Sequence, residues 1–125
     1  MSKNNLIVLA VDDDSINLKL LNSMLNKSGM VQEVVLAMNG ADAVEILKNR
    51  DDIDLVLLDI IMPIMNGIEV LKVVRADDNL IQVPIIVLTT DETKKTEALE
   101  VGANSFLTKP IRSNDLFTKM ESVLI

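Results

Sequence analysis

The chain lacks two residue types that carry much of enzyme chemistry: none of its 125 residues is a cysteine or a histidine. These absences exclude disulfide bonds, thiol nucleophiles, imidazole bases and metal sites built from thiolate or imidazole ligands. Hydrolase mechanisms that depend on histidine are therefore excluded within this chain. Any bound metal must be held by oxygen atoms, which favours Mg²⁺, Mn²⁺ or Ca²⁺.

Aromatic residues and positive charge are also scarce. There is no tryptophan or tyrosine, and 12 basic residues against 19 acidic ones give a net charge of −7. This composition argues against an extended nucleic-acid footprint and against base-stacking platforms. No apolar run approaches the ~20 residues of a membrane span, and Met1–Asn5 lacks the apolar segment of a signal peptide. We therefore expect one soluble, cytoplasmic domain over residues 1–125.

Short apolar runs alternate with amphipathic helical patterns along the chain. The predicted strands are Leu6–Val11, Val31–Ala37, Leu55–Leu58, Ile85–Leu88 and Ser105–Thr108. The predicted helices run from Asp14 or Ser15 to about Ser28, over Ala41–Asn49, over Ile68–Arg75 and from Glu92 or Thr93 to near Val101. A fifth follows Arg112–Ser113, with an apolar stripe of Leu116, Met120, Val123 and Leu124. This alternation predicts an α/β domain with a parallel sheet and helices on both faces. Its ligand crevice is expected at the carboxyl ends of the strands.

Acidic residues stand at two of these strand ends. Asp12, Asp13 and Asp14 follow the first strand, and Asp59 follows the third. Clustered carboxylates repel one another unless a cation lies among them, and Mg²⁺ suits such hard oxygen ligands. The alternative is a solvated loop in which an aspartate caps the next helix, which applies most strongly to Asp14.

Asp59 is the candidate nucleophile, because a carboxylate after a buried strand is costly without a role and carboxylates form acyl phosphates. Lys109 is the only cation predicted at the crevice, where an ammonium neutralises phosphoryl oxygens. Thr89 ends the fourth strand and offers a hydroxyl group. Taken singly, each has a plainer interpretation: a turn aspartate, a surface lysine and a strand threonine.

Four segments together resemble the receiver domain of bacterial two-component response regulators: Ala10–Asp13, Leu57–Gly67, Pro84–Thr89 and Gly102–Pro110. The likeness covers about residues 6–124. It implies a flavodoxin-like (βα)5 doubly wound sheet of five parallel strands in the order 2-1-3-4-5. It also implies a single-domain, chemotaxis-regulator-like phosphoprotein rather than an enzyme that turns over a substrate.

The resemblance implies a role for each site residue. Asp59 would accept a phosphoryl group from a histidine kinase or a histidine phosphotransfer protein, and Thr89 and Lys109 would contact the phosphoryl oxygens. The residues implied to hold Mg²⁺, or Mn²⁺ as a substitute, are Asp12, Asp13, Asp59 and, through its backbone carbonyl, Ile61. Phe106 would be the switch aromatic, and the Lys109–Pro110 bond would be cis. The surface expected to change is helix four, strand five and helix five, roughly Lys94 to Leu124.

Some residues suggest properties of this particular chain. Ile61 cannot orient water by hydrogen bonding, so it is expected to slow the loss of phosphate from Asp59. Asp91 adds negative charge near the site. Phe106 lacks the hydroxyl of tyrosine, so any switching must rest on packing. The charged residues of the expected output surface do not identify a partner.

Two other classes of protein share parts of this pattern. A flavodoxin-like FMN carrier is disfavoured because three aspartates stand where its phosphate loop should be, and because tryptophan and tyrosine are missing. A Mg²⁺-dependent phosphatase with an aspartyl nucleophile fits the Asp12-x-Asp14 spacing, but no cap domain is present to select a substrate. Within the receiver interpretation, a stand-alone regulator and an excised domain of a longer one both remain open.

Overall fold

The computed structural model describes residues 5–124, so the ends of the predicted 1–125 domain lie outside the described residues. The strands are β1 Leu6–Val11, β2 Val31–Ala37, β3 Leu55–Asp59, β4 Ile85–Thr89 and β5 Ser105–Thr108. The helices are α1 Ser15–Lys27, α2 Gly40–Asn49, α3 Gly67–Arg75, α4 Thr93–Val101 and α5 Ser113–Val123. Each strand is followed by a helix, as the sequence predicts.

The strands form one parallel sheet in the order β2-β1-β3-β4-β5. This is the predicted flavodoxin-like fold with its order 2-1-3-4-5. The three central strands are almost fully buried, whereas β2 and β5 at the edges are partly exposed. Continuous apolar runs therefore mark the middle of the sheet, because those strands are covered on both faces.

Alternate residues of the strands divide the core into two layers. On one face, β-strand residues such as Leu58 and Val87 pack with α2, α3 and α4. On the other, residues such as Leu57 and Leu88 pack with α1 and α5. Successive residues of a strand point to opposite faces of the sheet. α4 covers one face and α5 covers the other, with β5 at the edge of the sheet between them.

Several elements differ from their predicted bounds by one residue. α2 and α3 begin at Gly40 and Gly67, one residue early, because Asn39 and Asn66 cap them with their side chains. α1 ends at Lys27 rather than Ser28. The other two differences are in β3 and β4, which extend to Asp59 and Thr89 because these residues pair with Leu88 and Thr108.

Helix starts differ in how firmly they are held. Asp14 caps α1, since its Oδ1 accepts the Ile16 backbone N–H at 2.8 Å, which settles the choice between Asp14 and Ser15. α4 follows Glu92 with no side-chain cap and fully buries only Ala98. α4 is therefore the least anchored of the helices that surround the site. None of the helices in residues 5–124 is both long and apolar enough to cross a bilayer.

Candidate functional site

Three carboxylates meet at the carboxyl edge of the sheet. Asp12 and Asp13 follow β1, and Asp59 ends the neighbouring β3. One oxygen from each lies within 4.8 Å of the others. Asp12 and Asp59 are buried, at 1% and 6% exposure, whereas Asp13 is exposed. The parallel sheet thus brings Asp59 to two aspartates that lie 46 and 47 positions before it in the sequence, as predicted.

The local chain holds Asp12 in place. Its backbone N–H continues the ladder by donating to Ala37 at 3.1 Å, beyond the last residue of β1. Its Oδ1 accepts the Asp14 backbone N–H at 2.9 Å, and its Oδ2 accepts a hydrogen bond from Lys109 Nζ at 2.9 Å. Both carboxylate oxygens are therefore engaged, and the side chain is fixed.

Lys109 enters the cluster from the end of β5. Its backbone N–H donates to the Thr89 carbonyl at 2.8 Å, and its peptide bond to Pro110 is cis, as the resemblance implies. Its Nζ lies 3.4 Å from Asp59 Oδ2 as well as 2.9 Å from Asp12. Burial alone would lower the pKa of Lys109, but the hydrogen bond to Asp12 and the charge of Asp59 outweigh burial and raise the pKa. Lys109 is consequently a fixed positive charge at the site.

Burial raises the pKa of Asp59 to about 6. The charge of Lys109 opposes this rise, while the charges of Asp12 and Asp13 add to it. One ammonium therefore does not balance three carboxylates, two of which are withdrawn from water. A hard divalent cation suits this set of oxygen donors, because Mg²⁺ prefers a few carboxylates and keeps waters on its other positions. The residues fit the predicted metal.

Thr89 is buried at the end of β4, but its hydroxyl is engaged within its own loop. Its Oγ1 accepts the Asp91 backbone N–H at 2.9 Å and donates to the Asp91 carbonyl at 3.3 Å. The Asp91 carboxylate in turn accepts hydrogen bonds from the backbone and hydroxyl of Thr93, and these bonds lower the pKa of Asp91. Thr89 is thus linked through Asp91 to the first residue of α4, a connection that the sequence analysis missed.

The loop between β3 and α3 passes close to the acid cluster. Gly67 begins α3 where an added Cβ would lie 2.5 Å from the Asp59 carbonyl oxygen, so only glycine permits this approach. Ile61, two residues after Asp59, has a side chain that is 58% exposed. Ile64 is 82% exposed at φ +69°, a backbone region that β-branched residues rarely adopt. The loop therefore keeps two large apolar side chains in solvent near the site.

Phe106 lies half-buried on the edge strand β5, where it pairs with Val87 of β4. Lys95 Nζ of α4 lies 4.0 Å from the centre of its ring, and Lys119 Nζ of α5 lies 5.3 Å from it. Both lysines lie within the expected output surface, Lys94 to Leu124. Nothing in their spacing along the chain indicates that they meet at one ring.

A groove of about 390 Å³ opens beside Asp12 and Lys109. Its walls are apolar and come from α1 and from the Lys109–Ile111 segment. Asp12 and Lys109 therefore border a groove with largely apolar walls.

The family described as response regulator receiver domain matches residues 8–121 of this chain. The transcriptional regulatory protein CpxR of Escherichia coli (strain K12) is 37% identical over 119 residues, which are 94% of this chain and 48% of CpxR. The chain thus spans about half the length of that relative. A chemotaxis protein CheY homologue of Campylobacter jejuni is 34% identical over 119 residues, which cover 94% of this chain and 91% of the homologue.

A solved structure gives the same result in three dimensions. The receiver domain of the sensor histidine kinase PA1611 from Pseudomonas aeruginosa PAO1 superposes with a TM-score of 0.86 at 27% identity. The match covers 96% of this chain and 98% of that domain, which was crystallised with a magnesium ion in its active-site cleft. Fold, acid cluster and sequence agree, and this chain belongs to the response regulator receiver domain family, the phosphoacceptor modules of two-component signalling.

Proposed function

We propose that Asp59 is the phosphoacceptor of this receiver domain. Its carboxylate oxygen attacks the phosphorus of a phosphohistidine on a partner histidine kinase or phosphotransfer protein. The P–N bond breaks, the imidazole keeps the electron pair, and Asp59 becomes an acyl phosphate. The donor histidine must come from the partner, since this chain has none.

The observation that carries this proposal is the difference between the two buried carboxylates. Asp12 accepts two hydrogen bonds at 2.9 Å, one on each oxygen. Asp59, within the described part of the chain, has Lys109 at 3.4 Å as its side-chain partner. Asp59 therefore keeps lone pairs free at the centre of the cluster, while Asp12 is committed to holding the site together.

The residues proposed to hold Mg²⁺, with Mn²⁺ as a substitute, are Asp12, Asp13 and Asp59 through their carboxylates and Ile61 through its backbone carbonyl. The closeness of the three carboxylates supports this set, as does the magnesium ion in the cleft of the PA1611 receiver domain. The ion supplies positive charge that offsets the oxygens of a transferring phosphoryl group. The chain itself contributes the positions of the ligands and the charge of Lys109.

Lys109 and Thr89 are proposed to contact the phosphoryl oxygens once Asp59 is modified. For Thr89 this requires its hydroxyl to leave Asp91, which connects the site to α4. Phe106 is the proposed switch aromatic, and α4, β5 and α5 form the surface that a downstream protein would read. A local change of charge at Asp59 then biases the population of two arrangements of this surface.

We propose that residues 1–125 form one receiver domain that acts in the cytoplasm and catalyses only its own phosphorylation and slow dephosphorylation. The alternative of a phosphatase needs Asp14 as an acid–base group, but Asp14 caps α1 and accepts the Ile16 N–H. The alternative of a flavin carrier has no support from the comparisons, since the matched family and the solved neighbour are receiver domains.

The test is Asp59→Asn treated with a small phosphodonor and Mg²⁺. Intact-protein mass spectrometry should show one added phosphoryl group on the parent protein and none on the variant. Asp51→Asn, an exposed aspartate beyond α2, is the matched control and should be modified like the parent. Unchanged incorporation in Asp59→Asn would refute Asp59 as the acceptor.

A further inference from the structure

The side chains of Lys95, Phe106 and Lys119 form a stack that connects the three elements of the proposed output surface. Lys95 comes from α4, Phe106 from β5 and Lys119 from α5. The ammonium groups lie 4.0 Å and 5.3 Å from the centre of the ring, both inside the ~6 Å limit for a cation–π interaction. The ring packs against the core layer that α4 covers, and Lys119 reaches it from α5, which covers the opposite face of the sheet.

Both lysines are unusually covered for charged residues on short surface helices. Lys95 and Lys119 are partly buried, whereas the adjacent Lys94 is exposed. Lys94 reaches Glu97 at 4.0 Å, but Lys95 and Lys119 make no ion pair within the described residues, although α4 and α5 both carry acidic side chains. Their ammonium groups are therefore directed to the ring rather than to carboxylates.

α4 has little else to hold its first turns. Its start has no side-chain cap, and Ala98 is its one fully buried residue. One tie at this end is the Thr89–Asp91–Thr93 chain of hydrogen bonds, which breaks if Thr89 turns toward a phosphoryl group. The contact from Lys95 to Phe106 then links the beginning of α4 to β5 together with one long hydrogen bond, which the Thr108 hydroxyl donates to Glu92 Oε1 at 3.4 Å.

We propose that Lys95 and Lys119 are positioning residues that clamp Phe106 in the unphosphorylated arrangement and so set the threshold of the switch. This proposal rests on the proposed function, in which modification of Asp59 moves Phe106. Movement of the ring must break one or both cation–π contacts, so the clamp favours the unmodified state. A cation–π contact at a partly exposed site shifts such an equilibrium about two- to fivefold.

The test replaces each lysine with methionine, which keeps the length of the side chain and removes its charge. The probe is beryllium fluoride with Mg²⁺, which imitates a phosphoryl group at the acceptor. Binding is followed by ¹⁹F NMR of 4-fluorophenylalanine at position 106. Lys94→Met is the matched control, since Lys94 is next to Lys95 but pairs with Glu97.

We expect Lys95→Met and Lys119→Met each to lower the half-saturating beryllium fluoride concentration about two- to fivefold, and Lys94→Met to leave it unchanged. In a Phe106→Leu background, followed by amide NMR signals of α4, the lysine substitutions should have no effect. Lysines with a merely structural role would act equally in both backgrounds, and that result would overturn the proposal.

A second experiment changes the ring of Phe106 and leaves both lysines in place. Placing 3,5-difluoro- and 3,4,5-trifluorophenylalanine at position 106 progressively weakens the charge attraction of the ring with little change in shape. Half-saturation should fall stepwise along the series, and a flat series would contradict the clamp. If the parent protein gave no response to beryllium fluoride at all, the proposed acceptor function would fail instead, so the two failures are distinguishable.

Discussion

Lys109 Nζ donates a hydrogen bond of 2.9 Å to Asp12 Oδ2, joining residues that are 97 positions apart in the sequence. The same ammonium lies 3.4 Å from Asp59. Its shortest contact in the unmodified protein is therefore with a proposed metal ligand rather than with the proposed acceptor. Lys109 must share its charge between the two when a phosphoryl group arrives, so it is placed to report the modification to the end of β5.

This placement leads to a prediction for Lys109→Ala. The variant should fold and accept a phosphoryl group, but the spectral changes of α4, β5 and α5 on modification should be strongly reduced. Amide NMR spectra with and without beryllium fluoride and Mg²⁺ measure this response. Lys48→Ala, an exposed lysine on α2, should respond like the parent. A full response of the output surface in Lys109→Ala would count against the role of the lysine.

The second prediction concerns the stability of Asp59→Asn without divalent cations. Burial raises the pKa of Asp59 from 3.8 to about 6. The stability that the protonated carboxyl contributes below pH 3.8 is therefore lost as the pH rises from 3.8 to about 6. A change of one in the pKa corresponds to about 1.36 kcal/mol. At pH 7 the free energy of unfolding of the asparagine variant should therefore exceed that of the parent by up to about 3 kcal/mol.

Urea unfolding in a chelating buffer from pH 4 to pH 7 measures this difference. The free energy of unfolding of Asp59→Asn should exceed that of the parent by an amount that grows with pH. Asp51→Asn should show no such growth, because Asp51 is exposed. If the difference in the free energy of unfolding between Asp59→Asn and the parent stayed constant from pH 4 to pH 7, Asp59 would not be buried beside other carboxylates as the structure shows.

The third prediction concerns metal binding through the exposed member of the acid cluster. A ligand that binds only the folded state raises stability by RT ln(1 + [L]/Kd), about 2.7 kcal/mol at a hundredfold excess over Kd. Mg²⁺ should therefore raise the melting temperature of the parent and of Asp51→Asn. The increase should be much smaller for Asp13→Asn, where an exposed ligand is removed without disturbing the core. Equal increases in all three proteins would exclude Asp13 as a ligand.

The fourth prediction concerns the lifetime of the acyl phosphate. Ile61 is 58% exposed, so replacing it with asparagine should leave the fold intact. The amide can orient a water molecule, whereas the isoleucine only shields the site, so Ile61→Asn should lose phosphate several-fold faster than the parent. Release of inorganic phosphate after removal of the donor measures the rates. Ile81→Asn, an exposed isoleucine between α3 and β4, is the control, and a parent that dephosphorylates faster than Ile61→Asn would contradict the idea.

The fold was predictable because its signals are local. Continuous apolar strands such as Leu55–Leu58 separated by capped amphipathic helices specify a parallel sheet, and asparagines such as Asn66 mark helix starts. The one-residue errors at strand ends arose because ladder pairing, which extends β3 to Asp59, depends on the neighbouring strand. No sequence pattern displays that neighbour directly.

The convergence of the acid cluster was predictable for a topological reason. Parallel strands bring their carboxyl ends to one edge, and the strand order 2-1-3-4-5 implied by the resemblance places β1 beside β3, so Asp12, Asp13 and Asp59 were expected to meet. The clamp on Phe106 was not predictable, because Lys95 and Lys119 contact the ring through rotamers chosen by packing in three dimensions. Likewise, the Thr89–Asp91 bond depends on the path of one loop, which its composition does not specify.

The most direct test of the central claim is to identify the modified residue chemically. The protein is phosphorylated with a small phosphodonor and Mg²⁺, and borohydride then reduces the acyl phosphate of an aspartate to homoserine. Peptide mass spectrometry should find homoserine at position 59 and unmodified aspartate at positions 12 and 13. Homoserine at either of those positions, or phosphate retained on a serine or threonine with position 59 unchanged, would contradict the account.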